Sequence, residues 1–182
     1  PYAVRQLSIG ILFGGLAILG TEFGVKTDGA VINARDASPI CAGLLFGAPA
    51  GIIAGIIGGV ERWFAVLWGA GQYTRLACSI STVLAGLFAA GLRKFMFDNK
   101  KPKWYYCLAA ATITEVIHML MIFLTNMTDA RTAFSFVRTC SFPMIAVNSL
   151  AVMFAGILLS ILSGADRKGE KRDLKKISQS FQ

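Results

Sequence analysis

The chain has 182 residues, 55% of them hydrophobic and only 15% charged, with a mean hydropathy of +0.61 and a net charge of +8. Soluble domains carry roughly 25% charged residues, and here the apolar excess falls in blocks of about 20 residues, the length that crosses a bilayer. A soluble globular domain is excluded. With the basic residues clustered in a few loops and no basic, aromatic helix outside the apolar blocks, nothing points to nucleic-acid binding. Cys41, Cys78, Cys107 and Cys140 show no C-x-x-C spacing and read as membrane-buried free thiols rather than a disulfide frame or zinc site. The expected fold is an all-α membrane protein, a polytopic bundle of about five transmembrane helices, some of them broken.

The first predicted helix covers residues 7–25, where Gly10, Gly14 and Gly15 allow close helix approach. A polar connection over 26–38 leads to Ser38 as the expected N-cap, with Pro39 at the first helical position. The second helix, 40–60, places glycine at 43, 47, 51, 55, 58 and 59, a smooth stripe for tight packing. Residues 61–74 carry Trp63, Phe64, Trp68 and Tyr73, aromatics that settle at headgroup level. The third helix, 74–95, opens with a polar run ending in Cys78-Ser79-Ile80-Ser81-Thr82. The fourth, 104–125, starts at a second aromatic belt and holds Glu115 and His118 one turn apart. In the fifth, 134–162, Pro143 either kinks the helix or marks where it becomes fully helical, and Asn148 is a candidate hydrogen-bonding glue. AGLLFGAPAG and AGLFAAGL echo one another, as paired broken helices around a mid-membrane site would, or as small residues recur in any tight bundle.

Residues 93–103 hold five basic residues and those after Gly164 hold six, together 11 of the chain's 18. Two crossings lie between these clusters, so both face the cytoplasm under the positive-inside rule. The domain reading is a transmembrane unit over 1–164 and a cytoplasmic basic linker helix over 165–182. In that linker Leu174, Ile177 and Phe181 are spaced as a dimer seam. A chain that opens at Pro1 and closes on such a linker reads as a piece of a longer protein.

Arginine at membrane depth costs about 2.5 kcal/mol or more unless it faces a cavity or a partner. Arg75 reads first as an interfacial anchor. For Arg35 and Arg62 a shared anion is the more attractive reading, because guanidinium groups grip carboxylates through paired hydrogen bonds. Their neighbours Asp36 and Glu61 are poor partners if helical, since adjacent residues point about 100° apart. Cys78 and Ser81 share a helix face near a positive dipole end, although such hydroxyls equally bond back to their own helix. Glu115 and His118 lack a second histidine, so no metal is expected, and a buried Glu–His or Glu–Arg contact is the better reading. No hydrolytic triad, phosphate loop or kinase signature is legible, and neither an enzymatic role nor a cofactor is expected of this chain.

Asn33-Ala34-Arg35, Gly43-Leu44-Leu45 through Pro49, Glu61-Arg62-Trp63 and Cys78-Ser79-Ile80-Ser81-Thr82 follow in an order that resembles the LytS/YhcK-type five-transmembrane receptor domain. Glu115, His118-Met119, Pro143-Met144 and Asn148 also fall in family order. Departures are Glu61 for a histidine, Trp63 for a tyrosine, Phe46 and Ala48 within the glycine run, a longer spacing from Arg62 to Cys78, and Ala85 for an acidic residue. The resemblance implies the sensory half of a bacterial signalling protein in the cytoplasmic membrane. Its output would be a histidine kinase, diguanylate cyclase or phosphatase, and its ligand a pyruvate-like carboxylate. The ligand positions it implies are Arg35, Arg62, Cys78 and Ser81, with Asn33, Arg75, Ser79, Thr82, Glu115, His118 and Asn148 as further candidates. The implied partners are that carboxylate, membrane lipid, a second copy of the chain and the output domain. The competing reading is a small-solute transporter or substrate-capture protein using the same pocket.

Overall fold

The computed structural model describes residues 1–27, 30–69 and 71–180, except the side chains of 26, 27, 30 and 165–180. The seam of Leu174, Ile177 and Phe181 therefore lies outside the described residues. Helix α1 (Tyr2–Glu22) is followed by an antiparallel hairpin of β1 (Val25–Thr27) and β2 (Ala30–Ile32), with Val25 paired to Ile32. Helix α2 (Ala37–Cys41) runs on as a π-helical turn over Ala42–Phe46. Then come α3 (Ala48–Phe64) with a 3-10 end over Ala65–Trp68, α4 (Arg75–Gly91) with a π-helical end over Leu92–Met96, α5 (Trp104–Thr125) and α6 (Ala130–Ser180). Five of these helical stretches are long and apolar enough to cross a membrane. Their exposed residues are those lipid would solvate, such as Leu12 and Leu19 on α1, Val116 and Leu120 on α5 and Phe154 and Leu158 on α6.

Several boundaries differ from the sequence reading. Residues 26–38 are not simply a connection: part of them pairs as the hairpin, and Asn33, Arg35 and Asp36 turn inward and are buried. The N-cap position of α2 is Asp36, not Ser38, and Pro39 lies inside its first turns. The expected 40–60 helix is two helices broken at Gly47. Pro49 explains the break: it offers no N–H and its ring clashes with a carbonyl one turn back, so it sits instead in the first turn of α3. The last helix starts at Ala130 and runs unbroken through Pro143.

A break inside a membrane frees backbone groups that only protein can satisfy. Gln6, on α1, does so with both ends of its amide, donating Nε2 to the Phe46 carbonyl (3.1 Å) and accepting from the Ala50 N–H (3.3 Å). Arg93 donates to the Leu44 carbonyl from the other side. Beyond the break, the glycine stripe of α3 lies directly on α4. A Cβ on Gly55 would sit 3.0 Å from the Thr82 carbonyl, and one on Gly59 2.8 Å from the Ser79 carbonyl. This approach brings Arg62, in the last turn of α3, to the N-terminal half of α4.

Among the described residues three apolar clusters form the core. The two larger ones gather Ile40, Leu44, Ala85, Ala89, Cys107, Ala111 and Val152, and Ala77, Met119, Ile122, Cys140 and Met144; a small one joins Ala42, Ala50 and Ala54. On α4, α5 and α6 the buried residues between the two larger clusters are mostly polar: Cys78, Ser79, Ser81 and Thr82; Thr114, Glu115 and His118; Asn148 and Ser149. The bundle therefore carries a polar layer between them. Gln6→Leu should destabilise the protein by about 1–3 kcal/mol, because the Phe46 carbonyl and Ala50 N–H are left buried without partners; unfolding in detergent measures it.

Candidate ligand-binding site

The polar layer is organised around Asp36. Its Oδ1 accepts from Arg35 Nε (3.2 Å) and from the Thr82 hydroxyl (2.6 Å), and its Oδ2 faces His118 Nδ1 at 2.9 Å. Arg35 Nε also reaches Thr82 Oγ1 at 2.7 Å. All four side chains are fully buried. Position explains the arrangement: Arg35 and Asp36 lie in the turn before α2, so the 100° rule for helical neighbours does not apply and both can point into the bundle. The reading of Asp36 as a poor partner for Arg35 is thereby corrected. Glu61, in contrast, forms no ion pair with Arg62 among the described residues.

Asn148 fixes that turn. Its Nδ2 donates to the Asn33 carbonyl (3.0 Å) and its Oδ1 accepts from the Ala37 N–H (2.8 Å), while Asn33 Oδ1 accepts from the Arg35 N–H (3.2 Å). One amide on α6 thus satisfies both ends of the segment that carries Arg35 and Asp36. On α5, Glu115 and His118 share one face; Glu115 Oε2 lies 3.5 Å from His118 Nδ1, and His118 Nε2 lies 3.3 Å from Cys78 Sγ.

Arg62 reaches the layer from α3. One terminal nitrogen donates to the Gly71 carbonyl (2.8 Å) and to Thr74 Oγ1 (3.2 Å), which leaves Nη1 without a partner. Arg35 has neither Nη1 nor Nη2 paired. Ser81, buried one turn along α4 from Cys78, has no partner for its hydroxyl either. Buried polar groups are normally paired, so these free donors ask for an acceptor with several lone pairs.

The remaining candidates separate. Arg75 stays at the periphery, its Nε on the Trp63 carbonyl (2.8 Å) and its guanidinium 4.0 Å from that indole's centre. Ser79 lines a shallow surface pocket with Gly59, Val60 and Trp63 rather than the Asp36 cluster. Asp36, Thr74 and the Gly71 carbonyl were not singled out from the sequence. Only Asp36 carried a signal there, as the acid beside Arg35 in the polar connection before the second helix. Asp36, Glu115 and His118 present ligand atoms within 4.8 Å of one another, a spacing that could also hold a metal ion.

A membrane bundle of five candidate spans that encloses a layer of buried, partly unpaired charge has the architecture of a membrane-embedded receptor domain. Residues 3–161 match the five-transmembrane receptor family described as "5TMR of 5TMR-LYT", and the chain belongs to that family. It is 25% identical over 169 residues to the sensor histidine kinase YpdA of Escherichia coli, covering 93% of this chain and 29% of that protein. It is 29% identical over 153 residues to the sensor histidine kinase BtsS of Escherichia coli, covering 82% and 26%. It is 31% identical over 168 residues to the sensor protein LytS of Bacillus cereus, covering 88% and 26%. The chain thus spans little more than a quarter of the relatives it matches. No solved structure matches it.

Asp36→Asn should cost about 3–5 kcal/mol, because it removes the one carboxylate that faces both Arg35 and His118 and leaves buried charge uncompensated. Arg75→Ala should cost about 1 kcal/mol or less, as expected of an exposed anchor. Denaturation of both variants beside the parent checks the contrast.

Proposed function

We propose that this domain is the ligand-sensing part of a bacterial signal-transduction protein and that it binds a small carboxylate between Arg35 and Arg62. One observation carries the reading: three guanidinium nitrogens, on two fully buried arginines, have no partner. Arginine presents a planar fork that matches a carboxylate, and exclusion of water strengthens each bond. Two arginines on separate elements can draw those elements together when one anion bridges them. Arg35 belongs to the turn before α2 and Arg62 to α3, on opposite sides of the break at Gly47, so the bridge acts across a point where the chain already bends. Cys78 and Ser81 on α4 would complete the ligand shell.

The signal would leave through α6, which contributes Asn148 to the site and continues toward the C-terminus. A ligand shifts such an equilibrium only by its difference in affinity between two states, and the Asn148 contacts to Asn33 and Ala37 are where that difference can reach α6. The two basic clusters, in 93–103 and 165–182, support a reading in which both lie on the cytoplasmic side. The named activity of the relatives, sensor histidine kinase, suggests a kinase output beyond this segment and dimerisation along the α6 extension.

Thermal unfolding in detergent tests the binding step, with pyruvate, lactate, acetate and phosphate as probes. A bound ligand stabilises by RT ln(1 + [L]/Kd), about 2.7 kcal/mol at 100 times Kd. A carboxylate should stabilise the parent and not Arg62→Ala. If none of the four stabilises the parent, the anion reading is overturned.

A further inference from the structure

Near the start of α5, helices α5 and α6 pack closely at Gly156 but leave a gap beside Gly164. A Cβ on Gly156 would sit 3.1 Å from Cys107 Sγ and 3.6 Å from the Trp104 Cα, whereas one on Gly164 would meet nothing within 4 Å. The gap is a cavity of about 550 Å³, well inside the roughly 300–1,000 Å³ of small-molecule sites. Three pieces of chain enclose it: Lys101 to Lys103 with Trp104 at the start of α5, the α6 residues from Gly156 to Gly164, and Leu45 of the π-helical turn after α2. None of its lining residues belongs to the Asp36 cluster.

The lining changes character with depth. Leu45 is buried and Leu159 half-buried, so the inner wall is apolar. Lys101, Lys103 and Ser160 are exposed at the mouth, where Lys101 Nζ donates to Ser163 Oγ at 3.4 Å. No carboxylate lines the cavity and neither lysine forms an ion pair among the described residues. Trp104 heads the belt Trp104-Tyr105-Tyr106, of the kind that settles at headgroup level. The mouth therefore stands where lipid phosphates lie, and two ammonium groups and two hydroxyls offer donors to an acceptor there.

We infer that this cavity binds one anionic phospholipid. Lys101, Lys103 and Ser163 hold its phosphodiester, and Leu45, Leu159 and Trp104 take the start of its acyl chains. The match is one of grading: cations and hydroxyls above an apolar wall, against an anion above hydrocarbon. A soluble anion would leave the apolar wall unused, and a zwitterionic lipid would bring its own cation against two lysines. The positive-inside reading of residues 93–103 supports the same assignment, because the cytoplasmic leaflet is the one whose surface is negative. A lipid held here ties the loop before α5 to the stretch of α6 that leads into the linker. The site uses neither Arg35 nor Arg62, so it stands or falls apart from the carboxylate reading.

Native mass spectrometry of the purified chain in neutral detergent tests this, with phosphatidylglycerol and phosphatidylcholine of identical acyl chains as probes. The expected result is one phosphatidylglycerol retained about tenfold or more tightly than phosphatidylcholine, a preference on the scale that two lysines at a charged surface supply. Lys101→Gln combined with Lys103→Gln should abolish that preference. Ser160→Trp, which fills the cavity without changing its charge, should abolish it too. Lys94→Gln combined with Lys100→Gln alters basic residues of the same loop that do not line the cavity, and should leave it intact. Equal retention of the two lipids by the parent overturns the site. Survival of the preference in Ser160→Trp also overturns it, as does an equal loss in the Lys94 and Lys100 variant, which would mark a diffuse attraction to the whole loop. Displacement of the bound lipid by millimolar inorganic phosphate overturns the lipid assignment in favour of a soluble anion.

Discussion

A carboxylate sealed among membrane helices is tolerable only if cations and hydrogen-bond donors face it, and Asp36 meets three such partners. Its partners come from its own turn (Arg35), from α4 (Thr82) and from α5 (His118), and the turn itself is clamped by Asn148 on α6. In a low-dielectric interior such contacts are strong, but desolvation of the ions offsets much of the gain. Their larger effect is on specificity: an arrangement that leaves any of these ions unpaired is far worse than this one. The Asp36 cluster therefore fixes how α2, α4, α5 and α6 sit relative to one another.

The break at Gly47 serves the same arrangement. A continuous helix from 37 to 64 would carry its N-terminal turn on a single straight axis, whereas a bend lets α2 and α3 approach α4 along different lines. Discontinuity exposes backbone groups, and Gln6 and Arg93 cover them from two different helices. The glycine stripe of α3 then allows the backbone approach that sets Arg62 beside α4. Each of these devices uses a residue type costly in a membrane, and each is satisfied by a partner distant in sequence.

Within this frame the site divides into groups whose pairing is complete and groups left free. Arg35 Nε is committed to Asp36 and Thr82, and one end of Arg62 to Gly71 and Thr74. The opposite faces of both guanidinium groups carry the unpaired nitrogens. Each arginine is thus anchored through one part of its guanidinium group, and its remaining nitrogens named above have no hydrogen-bond partner among the described residues.

Much of this was legible in the one-dimensional chain. Apolar blocks of membrane-spanning length, interfacial tryptophans and tyrosines, and the glycine period are local properties, and they determined the class of fold: a bundle of about five membrane helices. The residues that resemble the five-transmembrane receptor pattern pointed to Arg35, Arg62, Cys78 and Ser81 as one set. The sequence could not show that Asp36 is the centre, because whether two neighbouring side chains meet depends on backbone dihedrals, and the turn at 33–36 is set by Asn148 more than a hundred residues away. The sequence reading set Arg75 apart as an interfacial anchor, but both arginines stand at helix ends, and it is packing that leaves Arg75 on the Trp63 indole at the periphery and buries Arg62. The chain by itself determined which residues must be hidden from lipid; the tertiary structure decided which of them face one another, because buried charges are paired by proximity in space and not in sequence.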